Sequence, residues 1–158
     1  MTKLHLEEAH GDHAYALAPN LCENDIRWIS YAYTNGEEKL AEAVRLSIEE
    51  SEQAFTICDD TGELLGVWGH GAWDRPTGVG YVWLLSSENL WNHHYPSMNR
   101  IWRRVILPKL DAIYTQYGAT VLSNNAKLCS WLVLSGFSPN TCSDRTGEYF
   151  THFQRSQQ

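Results

Sequence analysis

The stretch from Asn125 to Phe137, NAKLCSWLVLSGF, predicts the architecture of the C-terminal part of the chain. Asn favours helix starts, because its side-chain oxygen accepts a hydrogen bond from a backbone N–H of the first turn. Gly136 suits the left-handed position that ends a helix, and Phe137 then turns back toward a core. The stretch therefore predicts a helix that begins at Asn124 or Asn125 and runs to Ser135.

Upstream of this helix, apolar spacing and turn residues predict alternating helices and strands. Residues 1–13 are polar and are expected to form a flexible arm, so that one domain covers residues 14–158. Helices are predicted from Cys22, over 37–50 and over about 98–117, the last one kinked by Pro108. Strands are predicted at 15–18, 54–58, 64–73, 79–85, 119–122 and 148–153.

This order of elements predicts the fold class. Three consecutive strands joined by short turns form an antiparallel meander. The next strand follows a helix, so a right-handed crossover should place it parallel to its predecessor. The prediction is an α/β domain with a central mixed sheet of about six strands, an antiparallel meander followed by a parallel pair, and four helices.

The composition excludes several classes of protein. Of the 158 residues, 43% are hydrophobic and 20% charged, which excludes a disordered chain. No segment approaches the ~20 apolar residues of a membrane span. The net charge of −7 opposes nucleic-acid binding. The four cysteines are widely separated and lack zinc-site spacing, so we expect no metal site and a reducing cytoplasm.

The element order and the spacing of Asn125, Gly136 and Phe137 resemble those of the GNAT superfamily of N-acetyltransferases. The resemblance implies that the parallel strand pair splays apart and that acetyl-CoA is the cofactor held between these strands. Two short strings, YVWLLSS at 81–87 and LSGF at 134–137, are similar to the small GNAT-like proteins of short-tailed phages, which are grouped with an internal virion protein. This narrower resemblance covers roughly residues 14–137. It implies a virion or host protein as partner, in the host cytoplasm or packaged in the virion.

The resemblance implies an acyl-CoA site of three parts, of which the sequence retains one. Residues 82–85 match the splayed strand that offers backbone groups to the pantetheine arm. A Gly-rich loop should then present N–H groups to the pyrophosphate, but no glycine stands between Ser86 and Arg100. The Tyr that protonates the leaving thiolate would stand at Leu132, which cannot donate a proton.

Other side chains are candidates to replace the missing loop. The start of the predicted long helix offers free N–H groups, and two arginines one turn apart there could contact phosphate directly. The alternative is that Ser97 only caps the helix and that the arginines are solvated. The candidate cofactor-binding residues are Trp83, Leu84, Leu85, Ser97, Asn99, Arg100, Arg104 and Asn125.

Three residues are candidates for acid–base catalysis. His93 and His94 belong to the residue type that titrates near neutrality, and an ordinary polar loop is the alternative explanation for them. Glu88, like Asp74, stands near the end of a central strand, where this fold tends to place its general base. Either acid is equally explained as a solvated turn residue.

The aromatic residues are predicted to gather around the cofactor cleft, where they either fill it or form a surface for a protein partner. They are Trp83, Trp91, Tyr95, Trp102 and Trp131. The leading hypothesis is a GNAT-like protein with a degenerate acetyl-CoA site that acts through protein contacts in virion assembly or on a host target. The alternatives are an active acetyl-CoA-dependent N-acyltransferase that modifies a host protein, and a small-molecule binding module that reuses the cleft.

Overall fold

The computed structural model describes residues 3–32, 39–139 and 150–156. Its strands are β1 (His5–Glu8), β2 (Gln53–Cys58), β3 (Leu64–Asp74), β4 (Val79–Ser86), β5 (Gln116–Leu122), β6 (Ser138–Pro139) and β7 (Phe150–Ser156). Its helices are α1 (Asp12–Leu17), α2 (Glu23–Ala32), α3 (Leu40–Glu50), α4 (Glu88–His93), α5 (Tyr95–Ile101), α6 (Leu107–Ile113) and α7 (Ala126–Leu134). None of the helices in the described ranges is long and apolar enough to cross a bilayer.

The strands form one mixed sheet in the order β1-β2-β3-β4-β5-β7-β6. The meander from β2 to β4 is antiparallel, and only β4 and β5 run parallel. Turn chemistry explains the first reversal: Asp59 Oδ1 accepts hydrogen bonds from the backbone N–H groups of Thr61 and Glu63, and Gly62 adopts a φ of 86°. The predicted mixed α/β fold is confirmed, although the structure has more helices than the four predicted.

The parallel pair is the feature that opens the sheet. β4 and β5 pair only at their beginnings, through Val79 with Gln116, Gly80 with Tyr117 and Tyr81 with Gly118. Beyond Tyr81 the two strands separate, so the rest of β4 faces a gap instead of a neighbouring strand. This splayed arrangement agrees with the architecture that the family resemblance implies.

The C-terminal helix forms as its sequence predicts. The side chain of Asn125 accepts a hydrogen bond from Leu128 N at 3.3 Å, and α7 begins directly after Asn125. Gly136 has a φ of 93°, and Phe137 is buried in the main core cluster. The predicted cap, helix and closing glycine are therefore confirmed.

The N-terminal part differs from the prediction. Residues 5–8, expected within a flexible arm, form β1 because their backbone pairs with β2 from His5 opposite Cys58 to Glu8 opposite Phe55. Residues 15–18, expected as a strand, lie in α1 and the 3-10 turn after it; Ala14 and Leu17 are both buried on one helical face. The predicted helix over 37–50 and the predicted strand over 148–153 both begin outside the described residues, at 37–38 and 148–149.

The predicted long helix is also placed differently. It begins at Tyr95 and ends at Ile113, and a π-helical turn (Trp102–Ile106) joins α5 to α6. The turn ends two residues before Pro108, whose missing N–H removes one regular hydrogen bond from the helix. Tyr117, predicted as its last residue, lies in β5, where its hydroxyl donates to Asp111 Oδ1 at 2.8 Å.

Candidate ligand groove

The gap between β4 and β5 contains two adjoining cavities. The inner cavity, about 260 Å³, lies between the two strands, and the outer cavity, about 660 Å³, lies between the end of β4, α4 and α7. The two cavities have shared walls, so together they form one groove. The residues that line both are Asn24, Asp25, Leu84, Asn125, Leu128 and Trp131.

The backbone of β4 presents hydrogen-bonding groups to this groove. Ser87 N donates to Leu65 O of β3, whereas on the opposite side of the strand Ser86 N donates to Asp25 of α2 and Ser86 O accepts from Cys22 N just before α2. Backbone groups of successive strand residues point to opposite sides, so the N–H and C=O of Leu84 point into the gap. The groove is therefore able to pair with an extended ligand along β4.

Tryptophan side chains form much of the groove wall, and the indole N–H groups of five of them have hydrogen-bond partners. Trp28 spans the gap, because its Nε1 donates to Thr120 O of β5 at 2.9 Å. The other bonds are Trp83 to Ser51 Oγ (2.7 Å), Trp91 to Ser86 Oγ (2.7 Å), Trp102 to Ser135 Oγ (2.9 Å) and Trp131 to Asn99 Oδ1 (3.0 Å). These bonds hold the rings as walls, and both cavities remain open between them.

The end of β4 is where a CoA-like diphosphate would need backbone donors. Here these donors are engaged by the protein itself: Ser86 N donates to Asp25 Oδ2 at 2.8 Å, and Leu90 N donates to the Ser87 hydroxyl at 3.4 Å. Glu88 occupies the first turn of α4, and its carboxylate accepts from Glu23 N at 3.2 Å. Two carboxylates thus stand where an anionic ligand would need positive charge.

Asp25 is the buried ionisable group of the groove. It is only 9% exposed, and burial raises the pKa of its carboxyl group to about 6, although hydrogen bonds from the Ser86 backbone N–H and hydroxyl act in the opposite direction. The Cys22 thiol also bonds to this carboxylate, and burial is the main cause that raises the pKa of Cys22. Asp25 combines burial, a raised pKa and a place in both cavity walls.

Sequence reasoning predicted a helix from Cys22 but gave Asp25 no part in a ligand site, so it missed this position. A signal was available, because Asp25 precedes Ile29 by four residues and therefore shares its helical face. Ile29 is buried, so an acid one turn before it is directed toward the interior as well. The partner, Ser86, is distant in sequence, and only folding brings it to Asp25.

The structure places half of the candidate cofactor-binding residues at the groove. Trp83, Leu84 and Leu85 line the inner cavity, and Asn125 lines both cavities. The other four candidates line neither cavity: Ser97, Asn99, Arg100 and Arg104. Because α4 is inserted directly after β4, the helix start that carries these four residues is displaced from the strand end.

The three candidate catalytic residues lie in different surroundings. Glu88 lines the outer cavity and is exposed. His93 is exposed at the end of α4, and His94 is buried with its Nε2 3.9 Å from Asp59 Oδ2, at the turn after β2. Neither histidine is among the groove-lining residues. In the described part of the chain, no three His, Cys, Asp or Glu side chains gather in a metal-binding group.

Comparison with known proteins places the fold in a recognised class. No protein-family model and no curated protein sequence matches the chain. Among solved structures, the GNAT-family acetyltransferase of Bacillus anthracis gives a TM-score of 0.69 at 11% identity, over 99% of both chains.

Two further structures have the same fold. The ribosomal L7/L12 alpha-N-protein acetyltransferase RimL, solved in complex with coenzyme A, gives a TM-score of 0.63 at 15% identity, over 99% of this chain and 95% of that one. The ribosomal-protein-S5-alanine acetyltransferase of Vibrio fischeri gives 0.65 at 13% identity, over 99% and 94%. The chain therefore has the GNAT acetyltransferase fold.

Proposed function

We propose that this protein is a GNAT-fold binding protein whose groove does not hold acyl-CoA, and that it acts through contacts with a protein partner. The observation that carries the proposal is the hydrogen bond from Ser86 N to the buried Asp25 carboxylate. Because of this bond, the backbone N–H of Ser86 at the end of β4 is already paired with a carboxylate of the protein and is not free to bind a phosphate.

Electrostatics supports this proposal. A diphosphate at the end of β4 would approach Asp25, where burial excludes water and like charges repel strongly, and the exposed Glu88, where water weakens the repulsion. Among the residues that the structure describes, Lys127 is the one cationic side chain that lines either cavity, and it is exposed. Arg100 and Arg104, the cations proposed from sequence to grip phosphate, line neither cavity.

The proposed partner surface lies beside the outer cavity. Leu134 and Val133 at the end of α7 are 69% and 52% exposed, and Tyr95 at the start of α5 is 41% exposed. Exposed apolar and aromatic side chains next to a groove are typical of protein-binding surfaces. The resemblance of the short strings at 81–87 and 134–137 to GNAT-like phage proteins favours a virion or host protein as this partner, in the host cytoplasm or in the particle.

Isothermal titration of the full chain with acetyl-CoA and CoA tests the cofactor part of the proposal. The expected result is no binding at millimolar ligand. The double variant Asp25→Asn, Glu88→Gln removes both carboxylates and should bind CoA measurably, whereas Glu7→Gln, Glu8→Gln on β1 is the charge-matched control and should not. Micromolar binding of acetyl-CoA to the unmodified protein would overturn the proposal.

A second candidate function, an active N-acyltransferase, is favoured by one observation. The groove between β4 and β5 is open, and Leu84 directs its backbone groups into it. This candidate requires that acetyl-CoA raises the melting temperature of the protein. The acceptor would then be a host protein, detectable by mass spectrometry as an acetylated product after incubation with the enzyme.

A further inference from the structure

Three aromatic rings in different orientations stand along the outer cavity. Trp91 and Trp131 contact edge to face, with ring centroids 5.4 Å apart and planes at 81°. Trp91 and Tyr95 lie 6.2 Å apart with planes at 40°. The face of an aromatic ring carries partial negative charge and attracts cations. Trp131 is 4% exposed and also packs on Trp102, with ring centroids 4.6 Å apart, so it forms the back of the wall. Trp91 and Tyr95 are the accessible rings, and their different orientations allow them to approach a compact cation from more than one side.

The charges around this cavity favour the same kind of ligand. Glu88 stands at its rim, and the Asp25 carboxylate forms part of its inner wall. Lys127, near the start of α7, is an opposing cation, and its long flexible stem allows its ammonium group to extend into water. The chain as a whole carries a net charge of −7, so the surrounding field also attracts cations.

We propose that the outer cavity binds a trimethylammonium group, either on a free small molecule or on a methylated lysine of a partner protein. The inference rests on the proposed function, because a CoA diphosphate would occupy the same end of β4. A quaternary ammonium fits this wall better than a primary one, since it has no N–H donors that burial would leave unpaired. The polar groups nearby are engaged: the Ser86 hydroxyl accepts from Trp91 Nε1, and Asp25 Oδ2 accepts from Ser86 N.

Isothermal titration with choline and with 3,3-dimethylbutan-1-ol tests the inference directly. The two molecules have nearly the same shape, and only choline is charged. Choline should bind at least about tenfold more tightly, which corresponds to ~1.4 kcal/mol and is within the range of cation–aromatic interactions. A blocked peptide with trimethyllysine, beside the same peptide with lysine, identifies the source. Stronger binding of the methylated peptide than of choline indicates a protein partner, and the reverse order indicates a small molecule.

Three variants change the site in different directions. Trp91→Leu should weaken choline binding about tenfold. Glu88→Gln is an exposed change that leaves the core intact and should weaken it about two- to threefold, while Lys127→Met should strengthen it by a similar factor. Tyr15→Leu and Glu8→Gln remove an exposed aromatic and an exposed acid far from the cavity, so they should leave choline binding unchanged.

Two results would overturn the inference. One is equal affinity for choline and its neutral analogue, and the other is no choline binding at tens of millimolar by a folded protein. Its failure is distinguishable from that of the proposed function, because the acetyl-CoA titration is a separate measurement. If the protein binds neither acetyl-CoA nor choline, the trimethylammonium site is contradicted and the proposed absence of acyl-CoA binding is not.

Discussion

The Asp25 carboxylate of α2 accepts the backbone N–H of Ser86 at the end of β4, at 2.8 Å. Ser86 O, in turn, accepts from Cys22 N just before α2, at 2.9 Å. The start of α2 therefore takes the hydrogen-bonding role that a neighbouring strand would have at the end of β4. The same contact places a carboxylate in the wall of the groove. The interaction that closes the end of the splayed strand therefore also disfavours an anionic ligand there.

The first prediction concerns the pH dependence of stability. The folded-state pKa of Asp25, about 6, exceeds its usual value, so the folded state binds an extra proton between about pH 4 and pH 6. Asp25 should therefore stabilise the protein as pH falls through this window, by up to ~3 kcal/mol. Urea unfolding at pH 4.5 and pH 7 measures the effect.

Asp25→Asn is the variant that isolates this contribution. Carboxyl groups with lowered pKa values, such as Asp59 and Asp111, change stability in the opposite direction, and they are common to both proteins. The difference between the parent protein and Asp25→Asn should thus shift in favour of the parent as pH falls. An identical pH dependence in the two proteins would contradict the burial of an ionisable Asp25.

The second prediction concerns Trp28, which bridges the gap. Trp28→Phe keeps most of the apolar contact but removes the N–H that bonds to Thr120 O, so the free energy of unfolding should fall by about 1 kcal/mol. Chemical denaturation measures this loss. Trp73→Phe is a matched control, since Trp73 is 49% exposed on β3; a loss as large as that of Trp28→Phe would argue against the bridging bond.

The third prediction concerns the helix cap at Asn125. Asn125→Ala should lower the free energy of unfolding by about 1 kcal/mol, because the N–H of Leu128 loses its side-chain acceptor. Asn125→Ser retains an acceptor at the cap and should remain close to the parent. Thermal unfolding followed by circular dichroism compares the two, and equal melting temperatures for both variants would exclude a capping role.

The fourth prediction compares two glycines with similar backbone angles. Gly62 and Gly136 have φ values of 86° and 93°, so alanine at either position is strained by about 1 kcal/mol or more. A Cβ at Gly62 meets no atom within 4 Å, whereas one at Gly136 meets the guanidinium of Arg155. Gly136→Ala should therefore be the more destabilising change in urea unfolding, and equal losses would show that Arg155 moves aside without cost.

Arg155 explains why that displacement should be costly. Its guanidinium donates to both carboxylate oxygens of Asp111, at 3.1 and 2.9 Å, and to Ser135 O at 2.7 Å. A bidentate pair of this kind is among the stronger side-chain interactions. The C-terminal strand is thereby connected to α6 and to the end of α7, contacts that no local pattern in the sequence contains.

Local sequence signals predicted much of the architecture. The Asn125 cap, the Gly136 turn and the strands of the meander depend on neighbouring residues, so their patterns can be read from the chain. The N-terminal strand β1 could not be predicted in this way, because residues 5–8, which are mostly polar, are held by pairing with a strand some fifty residues later. The start of α5 was misplaced because α4 interrupts a stretch that has no strong helical period.

The groove, too, depends partly on local sequence and partly on long-range contacts. The sequence by itself determined the residue types along β4, the absence of glycine between Ser86 and Arg100 and the presence of Leu132 in place of a Tyr. Only the tertiary structure decided that Asp25, and not Arg100 or Arg104, stands at the strand end. The physical reason is that burial and long-range contacts determine both the position and the pKa of Asp25. The helical region that carries Cys22 and Asp25 reaches Ser86 only when it packs against the open side of β4.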